Sequence, residues 1–92
     1  MHLSMKSLNF DIDELNLLFS QYGVKRLRIN SVRSEKSARD LINSFGGMGS
    51  INDVYICKQN GHKIDIEDEI KVNEKVRSLL TSIYKKCLER IS

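Results

Sequence analysis

Cys57, Cys87, His2 and His62 are the side chains of this sequence best suited to nucleophilic or metal chemistry. A thiolate nucleophile works with a base in hydrogen-bond reach and a third group that orients the base. Cys57 precedes His62 by five residues, but no orienting third group accompanies the pair. A zinc site asks for further ligands at short spacings, and neither histidine has such a set. These residues point to no metal, no cofactor and no enzyme activity, with His62 read as an exposed residue leaving a turn. Cys57 and Cys87 fit small buried side chains better than a disulfide.

Anion binding is the next chemistry to weigh. Phe45-Gly46-Gly47-Met48-Gly49-Ser50-Ile51-Asn52-Asp53 holds three of the five glycines, and backbone amides of a glycine-rich turn can cradle a phosphate. The lysine and Ser/Thr of a phosphate-binding loop are missing, and the glycines follow an expected helix rather than a strand. A structural turn fits better. Gly46 or Gly47 would supply a positive φ, Gly49 a close backbone passage, and Ser50 or Asn52 and Asp53 hydrogen bonds to local amides.

Charge is distributed unevenly about a net of +3. Lys25, Arg26, Arg28, Arg33, Lys36 and Arg39 face only Glu35, whereas Asp65, Glu67, Asp68 and Glu69 fall within five residues. Carboxylates at a helix N-terminus offset its dipole. These four, with Asp11, Asp13 and Glu14 at another expected helix start, are also candidate contacts for a cationic protein partner.

The elements that position these groups follow from periodicity. Residues 1 to 9 read as a frayed lead-in. A first helix then starts with Asp11 as N-cap and Glu14 three places on; Leu8, Ile12, Leu15, Leu18 or Phe19, and Tyr22 form its apolar face, and Gly23 ends it. Val24, Leu27 and Val32 suggest a second helix, with Ile29 off its stripe. Ser34 caps a third, whose face is Ala38, Leu41, Ile42 and Phe45. The glycines stop it.

Residues 53 to 58 read as an extended piece that turns at Asn60-Gly61, with His62 to Ile64 returning as a small hairpin; a helical turn over 50 to 57 is the alternative. Asp65 caps a long last helix, with Asp68 at its third position and an apolar stripe of Val72, Val76, Leu79, Leu80, Ile83, Tyr84, Cys87 and Ile91. The expected fold is mainly α, about four helices in one domain over residues 1–92. A chain of 92 residues without proline supports one modest core. Its apolar runs are too short to cross a bilayer, and Met1 to Phe10 does not read as a secretory signal, so a cytoplasmic location without membrane contact is expected.

The glycine segment with Asn60-Gly61 and the charged last helix resembles a family of small, mostly uncharacterised bacterial proteins. In that family an Ala-rich helix with Arg-Asp, here Ala38-Arg39-Asp40, leads into an aromatic residue, Gly-Gly-Met-Gly-Ser and Asn-Asp; an aromatic is usual where this chain has Ile51. Small proteins of this kind are similar to immunity proteins of contact-dependent growth inhibition systems. The resemblance implies a helical inhibitor that covers the active site of a cognate toxin domain, a nuclease being one such toxin. Against a basic toxin, Asp65, Glu67, Asp68, Glu69, Asp11, Asp13 and Glu14 would make the contacts; against an acidic one, residues 25–39. The alternative is a small nucleic-acid-binding regulator using Arg26, Arg28, Arg33 and Arg39.

Overall fold

A computed structural model describes residues 2–24, 28–45 and 54–91, with side chains from residue 5 onward. Among the described residues, three α-helices, α1 (His2–Gln21), α2 (Glu35–Asn43) and α3 (Glu69–Ile91), and two 3-10 turns (Lys58–Asn60 and Ile66–Asp68) make up the regular structure. At 1.5 Å per residue α3 is about 34 Å long, so it must lie along the 39 Å axis of a molecule only 26 by 17 Å in its other dimensions. Val72, Val76, Leu79, Leu80, Ile83 and Cys87 bury one face of this helix. They join residues from α1, α2 and the connecting segments in one apolar core.

Helix α1 runs antiparallel to α3. Near one end Lys86 Nζ donates to Ser7 Oγ and to Asp11 Oδ2, and at the other the Lys63 amide, shortly before α3, donates to the Tyr22 carbonyl. Leu8, Ile12, Leu15 and Phe19 are at most 1% exposed and form the inner stripe of α1. The expected start at Asp11 is therefore corrected: α1 begins at His2. Leu8 is buried about one turn before Asp11, the helix runs back nearly three turns in all, and Asp11 caps nothing. Its carboxylate instead accepts from Ser82 Oγ at 2.7 Å and pairs with Lys86.

Gly23 ends α1 as expected, at φ +70. The Val24 amide bonds back to the Phe19 carbonyl and the Gly23 amide to Ser20, a Schellman pair that brings buried Val24 over buried Phe19. Lys25, Arg26 and Leu27 lie outside the described residues.

The second expected helix is absent from residues 28–33, where the chain runs along α1 without regular structure. Two asparagines hold it there. Asn16 donates Nδ2 to the Ile29 carbonyl at 2.8 Å and accepts the Ile29 amide at 2.9 Å. Asn9 does the same for Val32 at 3.0 and 2.7 Å. Seven residues of helix rise about 10.5 Å, and three residues of extended chain span about 10 Å. The two spacings match, so one helix face can serve both residues as a neighbouring strand would. Ile29 and Val32 are buried by this attachment, which a helical stripe does not explain.

Ser34 caps α2 as expected, in a reciprocal capping box with Ser37. Ala38 and Phe45 are buried, Leu41 and Ile42 partly so, and the Phe45 ring lies 5.2 Å from that of Tyr84 at a tilt of 56°. Residues 46–53 lie outside the described residues, and with them the expected roles of Gly46, Gly47, Gly49, Asn52 and Asp53.

The expected hairpin is also corrected. Asn60-Gly61 does turn the chain, but as the end of the 3-10 turn Lys58–Asn60, which Gly61 caps at φ 84. The returning segment finds other partners: the Lys63 amide goes to Tyr22. Ile56 is held on α3 by Asn73, which accepts its amide and donates to its carbonyl, both at 2.7 Å. The His62 amide on the Cys57 carbonyl joins the two sides, but with Ile56 bonded to Asn73 and Lys63 to Tyr22 no ladder follows; the described residues contain no strand. Asp65 precedes the 3-10 turn Ile66–Asp68 but makes no side-chain cap, and α3 proper starts at Glu69.

Candidate functional site

Cys57 and His62 do meet, through backbone rather than thiol. The Cys57 amide donates to His62 Nδ1 at 3.1 Å and the Cys57 carbonyl accepts the His62 amide. With Nδ1 an acceptor, the neutral ring carries its proton on Nε2. The imidazole thus closes the turn, and it is half-buried where exposure was expected. The described residues hold no group of three or more His, Cys, Asp or Glu able to bind a metal.

Cys87 is fully buried between α1 and α3, and that burial pushes its thiol from 9.0 up to about 11. The folded state therefore favours the neutral thiol. Its contribution is fully present below pH 9 and is lost as pH rises through 11, the loss amounting to about 2 kcal/mol at pH 11. Over pH 8.5 to 11 the parent should lose more stability than Cys87→Ala does by that amount, measured by denaturant unfolding. Parallel curves would show that this thiol does not couple to folding.

The seven candidate acids do not form one surface. Asp65, Glu67 and Asp68 are exposed around the 3-10 turn, and none has an ion pair among the described residues. Glu69 is half-buried and accepts the Lys58 amide at 3.2 Å, tying the two 3-10 turns together. Asp11 lies 13 to 17 residues further along α3, beside Ser82 and Lys86, or about 20 to 25 Å away. Asp13 borders a polar depression of about 370 Å³ with Arg28 and Arg33.

Of the candidate cations, Lys36 pairs with Asp40 at 3.2 Å and Arg39 with Glu35 at 3.9 Å. Their charges are thus offset along α2. Arg28 and Arg33 are exposed on the irregular segment, so these four cations do not line one basic recognition helix.

Two features escaped the sequence reading. Ile66 is 72% exposed and Ile70 70% exposed, both among the acids at the head of α3. The outer face of α3 is bordered by two depressions, of about 540 and 680 Å³. Arg77, Thr81 and Lys85 line both, with Phe45 and Tyr84 in the first and Tyr55, Ile70 and Glu74 in the second. The signal for both was the set of large apolar residues left outside the inner stripe of α3.

Residues 25–65 match a family described as a domain of unknown function, DUF6966. That span is less than half of the chain; α1 and α3 lie outside it. The chain matches no curated protein and no solved structure.

Proposed function

We propose that this chain is a non-catalytic protein-binding domain that neutralises a cognate bacterial toxin domain, and that the turn at 65–69 makes the contact. The observation that carries the reading is Ile66, exposed between Asp65 and Glu67 in a turn whose carboxylates have no ion pair among the described residues. An apolar anchor ringed by charge suits a partner surface that is basic around a small apolar pocket, as the nucleic-acid groove of a nuclease would be. The toxin class comes from the resemblance of the glycine segment and its flanks. No helix among the described residues is long and apolar enough to cross a membrane.

Co-expression of the tagged chain with the product of the adjacent gene tests this. Parent protein should capture it at nanomolar affinity. Ile66→Ala and the pair Glu67→Lys with Asp68→Lys should each weaken capture by about tenfold or more. Ile66→Ala should leave the thermal midpoint within about 2 °C, because this side chain is mostly exposed, whereas the charge reversal should lower it by about 4 to 8 °C through the lost offset of the α3 dipole. Undiminished affinity would place the contact elsewhere; retention of DNA or RNA that weakens with salt, and of no protein, would favour the basic residues 25–39.

A further inference from the structure

We propose that a second copy of this chain covers the outer face of α3, in an antiparallel two-fold pair. At about 100° per residue, Ile70, Arg77, Tyr84 and Leu88 fall along one flank of that face, and Glu74, Ser78 and Lys85 along the other, with Thr81 between them. Ile70 is 70% exposed, Leu88 41% and Tyr84 37%. Glu74, Arg77 and Lys85 have no ion pair among the described residues. Glu74 and Lys85 are eleven residues apart, about 16 Å along the helix, so they cannot meet within one chain.

The face is complementary to itself when reversed. A two-fold axis lying across α3 at the level between Leu79 and Leu80 keeps each flank against the same flank of the other copy. Glu74 lies five residues before Leu79 and Lys85 five after Leu80, so each Glu74 comes level with a Lys85 of the second copy. On the other flank Ile70 comes within one residue of level with Leu88. Arg77 comes within two residues of Tyr84, inside cation–π reach of its ring. Ser78 and Thr81, both small, occupy the centre, where two helices approach most closely. Each pairing occurs twice, as an isologous interface requires. The pairing leaves Ile66 and the exposed acids outside the contact and stands independently of the toxin reading.

Sedimentation of the full-length chain over a wide concentration range tests it. The parent should run as a dimer, and Glu74→Lys alone or Lys85→Glu alone should raise the dissociation constant by about tenfold or more, because each change sets two like-charge contacts in the interface. The double variant Glu74→Lys/Lys85→Glu should recover the parent dimer, since the swap restores both pairs. Both positions are exposed in a single chain, so unchanged far-UV circular dichroism is the control for folding. A parent that stays monomeric up to about 1 mM, or a dimer that the single changes leave intact or the swap fails to recover, overturns the proposal.

Discussion

Replacing Asn73 by Ala should destabilise the domain by about 3 kcal/mol, although alanine is the better helix former by roughly 0.6 kcal/mol. Asn73 makes three hydrogen bonds at 2.7 Å, to the amide and carbonyl of Ile56 and to the carbonyl of Glu69. Ile56 is fully buried. Without the side-chain amide, its two backbone groups are left in the core at about 1 to 3 kcal/mol each. Asn73→Asp keeps the acceptor but sets an oxygen against two carbonyls, so it should recover little.

Asn16→Ala and Asn9→Ala, with two bonds each, should cost about 2 kcal/mol apiece. Exposed Asn43 at the end of α2 is the control, with an effect within about 0.5 kcal/mol. Urea unfolding measures all four, and hydrogen exchange at the Ile56 amide reports whether residues 54–57 leave α3 locally. Parent-like stability of Asn73→Ala would mean that Ile56 is held by packing alone.

These asparagines mark where sequence reasoning stopped. Apolar periodicity reports which face of a helix is buried, and it located the inner stripes of α1 and α3. Local chemistry did as well at Ser34 and Gly23, because a cap or a left-handed stop is decided within a few residues. A clamp is decided by a segment 13, 17 or 23 residues away, and nothing local names that partner. A trace was present: each clamp directly follows a buried residue, in Leu8-Asn9, Leu15-Asn16 and Val72-Asn73. An asparagine beside the core stripe, in a position that does not favour helix, needs a backbone to bond. Val24, Leu27 and Val32 have helical spacing, but the partner of residues 28–33 is the side of α1.

The candidate site divides along the same line. Exposure of Asp65, Glu67 and Asp68 follows from their crowding at a helix start, and that much was readable. The role of Asp11 was not, since Ser82 and Lys86 are more than 70 residues away in sequence. The outer face of α3 was hidden for another reason. A stripe search stops at the face that fills the core; Ile70 and Leu88 belong to the other, and Tyr84, counted in the core stripe, is corrected to its border at 37% exposed.

Asp11→Ala should therefore lower stability by about 2 kcal/mol and leave partner binding intact, the reverse of what its place among the candidate contacts implied. Its carboxylate is held by Lys86 at 2.7 Å and by Ser82, with side-chain exposures of 14% for Asp11 and 25% for Lys86. Removing one member of a buried pair can cost about 3 to 5 kcal/mol through the charge left behind; the partial access of water to Lys86 brings that down. Asp11→Asn keeps an acceptor for Ser82 and should cost about half as much. The double replacement Asp11→Leu/Lys86→Leu should recover most of the loss, because the stranded charge goes with its partner and apolar area is buried in its place. Exposed Asp13 makes the contrast, with little effect on unfolding. Equal stability of the parent and Asp11→Ala would sink this account, as would a double variant no more stable than the single one; either would leave Asp11 available as a contact.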